Sequence, residues 1–377
     1  MLLGASMHAN AQTLRVATFN ASMDGSNYVE QGKTPKGNEL KQRLAHGNEQ
    51  QIKNVAEIIQ RVRPDILLIN EFDYISNEKE GVQKFIEHYL KQSQSGQSPI
   101  NYPYYYVAPV NTGVPAGIDL NGDGKTGGLS DKFGFGHYPG QYGMLVLSRF
   151  PIMDDEIRTF QGFLWKDMPN NLLSKITKLD GTPWYSPQAQ AILRLSSKSH
   201  WDLPVNIDGR TVHVLASHPT PPVFDGPEDR NGKRNHDEVQ FWVDYLNGEG
   251  YFYDDQGRKS AFQGEQFVVL GDLNASYLEG DSFGNAIKNL AKHDKINSSF
   301  TPSSEGAKAA KPNNVNAPFH TAYWGMRADY VLPSKAGFDI KDGAVFWPTK
   351  DEETYRLISD RKASSDHRLV WLDLILK

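Results

Sequence analysis

Short apolar runs recur along the chain, and most of them stop at, or start from, a carboxylate, an amide or a histidine. Runs of this kind, rich in β-branched or aromatic residues and bounded by Gly, Pro, Asn or Asp, read as strands. They cover residues 14–19, 66–70, 104–108, 143–148, 191–195, 212–217, 267–270, 328–332 and 369–376. Between the first two, Ile52, Val55, Ile58, Ile59 and Val62 fall at three- and four-residue steps. That spacing predicts a helix over roughly 49–63, ended by Pro64. Further helical patterns occupy 81–92 and 238–246, and the Gly- and Pro-rich stretches 111–140, 219–232 and 303–316 read as long loops. With no internal repeat and no long linker, the pattern predicts an α/β chain of two stacked sheets flanked by helices.

Composition narrows the choice. The 377 residues are 38% hydrophobic and 11% aromatic, enough for a sizeable core, which excludes bulk disorder. No window approaches the apolar length of a membrane span. Zero cysteine excludes a disulfide scaffold, a thiolate zinc site and a cysteine nucleophile. The 40 basic and 45 acidic side chains, a formal charge of -5, supply no argument for non-specific binding to nucleic acid. Residues 1–11 are small and apolar and end in Ala9-Asn10-Ala11, an A-x-A cleavage pattern before Gln12. They read as the tail of an export signal, which places a single mature domain, 12–377, in the periplasm or outside the cell.

The chemistry gathers at the strand ends. Asn20 follows the first run, Glu71 the second, His218 the run 212–217, and Asp272 and Asn274 the run 267–270. Then the order inverts, since Asp329 precedes Tyr330-Val331-Leu332 and Asp366-His367 precede Leu369-Val370-Trp371. If those last two strands run antiparallel to the others, all of these side chains lie on one rim. Glu71, Asn20, Asp272, Asn274, Asp329 and Asp366 offer hard oxygen ligands, a set that suits Mg²⁺, Mn²⁺ or Ca²⁺ better than zinc. A metal polarising a phosphoryl oxygen, a carboxylate orienting water, and His or Asn donors around the developing charge make a hydrolysis site.

Thr18-Phe19-Asn20, the strand end at Glu71, the run Gly143–Ile152, Ser217-His218, Gly271-Asp272-Leu273-Asn274, Ala328-Asp329-Tyr330 and Ser365-Asp366-His367 occur in that order. Together they resemble the endonuclease/exonuclease/phosphatase superfamily, which includes pancreatic deoxyribonuclease, abasic-site endonucleases, neutral sphingomyelinases and inositol-phosphate phosphatases. The resemblance implies a four-layer αββα sandwich of two mostly antiparallel sheets flanked by helices. It also implies roles. Glu71 would be the principal metal ligand, with Asn20 beside it and Asp366 completing the shell. Asp272 would orient or deprotonate the attacking water, and Asn274 would stabilise the transition state. His367 would contact the scissile phosphate, held by Asp329. His218 resembles the second histidine of the deoxyribonuclease and sphingomyelinase branches.

The chain also departs from the family's pattern. Asn70-Glu71 replaces the usual Gln-Glu, and Asp73 follows as either an outer acid of the site or a loop residue. Gln141-Tyr142-Gly143-Met144 offers no acid to orient His218.

Three further groups stand out. Asp119, Asn121 and Asp123 alternate like the first half of a calcium loop, although its twelfth position is Ser130, not Glu; they are a candidate structural Ca²⁺ site. Arg230, Arg234, Asn235 and His236 could grip phosphate. Tyr142, with Tyr138, Trp165 and Trp184, could stack on a substrate. The expectation is an exported, divalent-metal-dependent phosphoester hydrolase, most simply a phosphodiesterase. An extracellular nuclease is the alternative within the class, and a calcium-dependent binding protein on a non-catalytic scaffold the alternative outside it.

Overall fold

In the computed structural model, which describes residues 13–377, the apolar runs pair into two sheets. The first contains β1 (Thr13–Met23), β2 (Ile66–Phe72), β3 (Tyr104–Tyr106), β4 (Met144–Ser148), β10 (Phe338–Val345) and β11 (Val370–Leu376). The second contains β5 (Arg158–Thr159), β6 (His200–Ile207), β7 (Arg210–Ser217), β8 (Phe267–Asp272) and β9 (Asp329–Pro333). Their orders are β10-β11-β1-β2-β4-β3 and β5-β6-β7-β8-β9. Each sheet holds one parallel pair, β1 with β2 and β7 with β8, and is antiparallel elsewhere. β11 is an interior strand, hydrogen-bonded to β10 on one side and β1 on the other.

The helices are α1 (Glu39–His46), α2 (Gln50–Val62), α3 (Val82–Phe85), α4 (Pro187–Ile192), α5 (Arg230–Asn247), α6 (Ala286–Ala291) and α7 (Glu305–Ala310). α2 lays Ile52, Val55, Ile58, Ile59 and Val62 into a buried cluster that also takes in Val212, Val214, Val268 and Leu270 of the second sheet. A second cluster packs Val239, Phe241, Trp242 and Leu246 of α5 against Leu215, Val269 and Leu332. The layers are therefore helix, sheet, sheet, helix, and the central strands are covered on both faces. This explains why their sequences are continuously apolar rather than alternating. No helix among the described residues is long and apolar enough to cross a membrane.

The differences from the sequence reading have local causes. Residues 191–195 form no strand; Ser186 caps the amide of Ala189, with Pro187 in the first turn, and the segment starts as α4. β6 escaped notice because Pro204 interrupts it. β5 pairs with Asp202 and Trp201, and beyond it Pro151–Met153 bridges the strand at Val205, with Met153 N donating to Pro204 O at 2.8 Å, so Pro204 sits at the irregular junction between the two partners. Acidic and glycine residues disguise β10, itself an edge strand. The helix expected over 81–92 divides into α3 and a wider turn at Ile86–Leu90, and α5 begins well before 238. The export-signal reading falls on residues outside those described.

Candidate active site

β9 is antiparallel to β8, with Asp272 paired directly to Asp329, and β11 is antiparallel to β1. The inversion read from the sequence thus brings the polar strand ends to one rim. Asp272 is its hub. Its Oδ2 accepts from Asn20 Nδ2 at 3.0 Å and lies 3.4 Å from His218 Nε2 and 3.5 Å from His367 Nε2. Its Oδ1 accepts the amide of Asn274 at 3.0 Å. His367 Nδ1 donates to Asp329 Oδ2 at 2.9 Å, and the Thr321 hydroxyl donates to the same oxygen at 2.6 Å. Asp272, Asp329 and His367 are all buried.

Their charges follow from these contacts. Burial opposes ionisation of Asp272, but the charge on His367 and the bond from His218 outweigh it and hold the carboxyl well below its usual range. Burial likewise disfavours a charged His367, yet Asp329 and Asp272 together push its pKa up to about 10. Asp329 is raised by burial to about 6, against the pull of His367, and so remains ionised at neutral pH. His218 is lowered to about 4, by burial first and by Lys198 next, and is neutral.

Beside this hub lies a set of oxygens. Glu71, at the end of β2, is raised to about 8 by burial and then by the neighbouring charges of Asp24 and Asp366. Asp366 receives the Ser22 hydroxyl at 3.3 Å and lies 3.4 Å from Arg361. The Glu71 and Asp366 carboxylates, with Asn20 among them, are a donor set for a hard divalent cation, so the residues present fit Mg²⁺ or Mn²⁺. One atom each of Asp272, Asp329 and His367 also fall within 4.8 Å of one another. That trio is already satisfied internally by the His367 to Asp329 bond and the His367 charge, so the stronger demand for a cation is at Glu71.

Against this geometry, a sequence model of the Endonuclease/Exonuclease/phosphatase family matches residues 17–367, from β1 to His367. The chain belongs to that family. Its members hydrolyse phosphoester bonds. No curated protein matches the chain at the level of sequence. Among solved structures, an endonuclease/exonuclease/phosphatase from Beutenbergia cavernae is 17% identical with a TM-score of 0.53, covering 97% of this chain and 72% of that one. The human Nocturnin catalytic domain is 14% identical with a TM-score of 0.47, covering 97% of this chain and 94% of that one. Beta toxin from Staphylococcus aureus is 13% identical with a TM-score of 0.44, covering 95% and 99%.

Asn70 and Asp73, the two departures noted in the sequence, shape this family site together with Glu238 and Lys198, which carried no signal there. Asn70, in place of glutamine, receives the amide of Asp272 at 2.9 Å and so ties β2 to β8 across the two sheets. Asp73 accepts Gly25 N at 2.8 Å, Tyr142 N at 3.0 Å and the Tyr138 hydroxyl; it anchors loops. Glu238 of α5, fully buried, accepts Ser197 N and Thr220 N at 2.6 Å each, fixing the segments on either side of His218. Lys198 is 5% exposed, and its ammonium has no hydrogen-bond or ion-pair partner among the described residues. Charges on Glu238, Glu71 and Asp272 act on it, while burial lowers its pKa. It lies two residues before His200, which pairs with Ser217, so it arrives beside His218.

Other expectations place differently. Arg234 directs its donors to the carbonyls of Leu195, Phe133 and Arg194, and Asn235 directs its amide to those of Thr220 and Leu273. These two hold the scaffold rather than face the rim. Arg230 pairs with Glu228 and covers the Trp184 ring at 5.2 Å, and His236 Nδ1 is 2.9 Å from Asp237. Trp165 is in the core, bonded to Asp237. Tyr142 stays near the site; its hydroxyl is 3.3 Å from Ser26 Oγ, and the Glu71 charge reaches it. In the Asp119 loop, Asp119, Asn121 and Asp123 accept amides of the loop itself. Asp131, just after the loop's twelfth position, is buried and accepts Leu120 N and Gly128 N.

Proposed function

We propose that this family member is a divalent-metal-dependent phosphodiesterase. The observation that carries the reading is Asp272, ionised and shared among Asn20, His218 and His367 beside the Glu71 and Asp366 oxygens. Glu71, Asn20 and Asp366 would hold the cation, which when bound polarises a phosphoryl oxygen. Asp272 orients the attacking water; its low pKa suits it to orientation more than to full proton abstraction. His367, protonated and held by Asp329, donates to a phosphoryl oxygen as charge develops there, and the Asn274 side chain is a second donor. His218, neutral, acts as a hydrogen-bond donor rather than as an acid. We also propose export, on the Ala9-Asn10-Ala11 pattern alone.

The purified protein is expected to hydrolyse bis-p-nitrophenyl phosphate, to lose that activity in EDTA, and to regain it with Mg²⁺ or Mn²⁺. Undiminished turnover after thorough chelation would refute the metal dependence. Absence of turnover on any phosphodiester with metal present would refute the enzyme. Nicking of supercoiled plasmid, compared with phosphoester release from small substrates, separates a nuclease from a small-diester enzyme.

Lys198 supplies a further positive charge for the substrate phosphate. Lys198→Met keeps the aliphatic packing and removes the charge, and is expected to lower kcat/KM by about 100-fold, as for the loss of one transition-state donor. A change of less than about threefold in a variant with unaltered circular dichroism would rule the role out.

A further inference from the structure

His218 lacks the acid that the family's pattern places beside it, and its ring is held by other means. The residue is 3% exposed. Nε2 lies 3.4 Å from Asp272 Oδ2, an ionised oxygen that can only accept. Nδ1 is buried and has no hydrogen-bond partner among the described residues. Gln141 and Tyr142, where the acid would fall, are engaged elsewhere. The Gln141 amide donates to Asp24 Oδ1 and Ser26 Oγ, and the Tyr142 hydroxyl lies 3.3 Å from Ser26 Oγ. Glu238 is no substitute, because its two oxygens take Ser197 N and Thr220 N while Nδ1 makes no bond to it.

The unpaired cation next to this ring is Lys198. By gripping Ser197 N and Thr220 N at 2.6 Å each, Glu238 clamps the segment of Lys198 against the segment of His218. The Ser197 and Thr220 hydroxyls are themselves buried and without partners among the described residues. The charges acting on the ring are Asp272, Lys198 and His367, and Lys198 opposes a charged imidazole more strongly than His367 does. With Asp272 on the Nε2 side and Lys198 on the other, two placements of the ring proton compete. A proton on Nδ1 would be a buried donor facing a cation, with the bare Nε2 turned to a carboxylate, and both contacts repel. A proton on Nε2 meets the Asp272 oxygen and leaves a lone pair towards the ammonium, and both contacts attract.

We propose that Lys198 is a positioning residue for His218: it stands on the Nδ1 side in place of the missing acid, with the opposite charge, and fixes the ring as the Nε2–H tautomer directed at Asp272. An imidazole backed by a carboxylate can take up a second proton and pass one on. One backed by an ammonium only donates the proton it has. The inference rests on the catalytic reading for its use and deepens it, since Nε2–H then steadies the oxygen of Asp272 that addresses the water. Contact of Lys198 with the substrate phosphate needs only another of its three N–H groups.

Long-range nitrogen–proton correlation spectra of the full chain, labelled with ¹⁵N at histidine and free of metal and substrate, read the tautomer at neutral pH. His218→Gln identifies the signal. The wild-type ring is expected to carry one proton, on Nε2, and Lys198→Arg should preserve that pattern. Lys198→Met should shift the Nδ1 resonance towards that of an unbonded lone pair, and Lys198→Glu should add a proton to Nδ1. A wild-type ring protonated at Nδ1, or at both nitrogens, overturns the proposal. So does a His218 spectrum in Lys198→Met identical to that of the wild type. If Lys198→Glu fails to fold, Lys198→Met against Lys198→Arg makes the same comparison. Because the spectra need neither turnover nor metal, inactivity toward bis-p-nitrophenyl phosphate would count against the catalytic reading and leave this test standing.

Discussion

Asp272→Asn is expected to cut kcat on bis-p-nitrophenyl phosphate by about 1000-fold while leaving KM within a few-fold. The substitution keeps the size of the side chain and an oxygen for the Asn274 amide. It removes the charge that Asn20, His218 and His367 all address through Oδ2. Two effects add. The attacking water loses its oriented acceptor, and His367 loses one of the two carboxylates that keep it protonated. Asp272→Ala should be at least as inactive and measurably less stable, since it leaves buried donors without acceptors. Turnover of the asparagine variant within tenfold of wild type, in protein with an unchanged melting profile, would remove Asp272 from the reaction.

The second large effect concerns Glu71. Its carboxyl is raised to about 8, by burial and then by Asp24 and Asp366, so at neutral pH the metal-free protein holds a proton where the cation has to sit. Binding must expel that proton. The apparent affinity for Mg²⁺ should therefore fall below pH 8 with a slope approaching tenfold per pH unit, or about 50-fold between pH 8 and pH 6. The sign for stability is the reverse. The folded state binds this proton more tightly than the unfolded chain, whose carboxyl titrates near 4.5. Without metal, stability should decline as pH rises from about 4.5 towards 8, and Mg²⁺ should reverse the decline at the upper end. Calorimetric titrations at three pH values and melting curves with and without metal check both. In Glu71→Gln the binding should be weak and the Glu71 slope absent. A flat pH dependence in the wild type would mean that Glu71 is ionised before the cation arrives.

Much of this rim was legible because a strand end is a local event. An apolar run that stops at Glu71 or Asp272 states both the element and its exit. The inverted order at Asp329 and Asp366-His367 announces two strands running the other way. What was not legible depends on partners distant in sequence. Lys198 is one lysine among serines until β6 pairs with β7, and Glu238 resembles a surface acid of a helix until it proves to hold Ser197 and Thr220. The converse error has the same origin. Arg234 and Asn235 have the right chemistry for phosphate, but backbone carbonyls claim their donors first.

The place of β11 has a consequence for how the molecule comes into being. That strand lies between β10 and β1, so the segment 13–23 spends most of synthesis without the neighbour that completes it. A nascent chain can pair β1 with β2, but the first sheet cannot close until residues 370–376 have left the ribosome. His367, just upstream, arrives equally late. Closing that sheet therefore requires pairing between residues 13–23 and 370–376, a long-range contact that sets a slow pace for folding. Until then the edge of β1 is open, and the partly folded chain should be more prone to aggregate than its final stability would suggest.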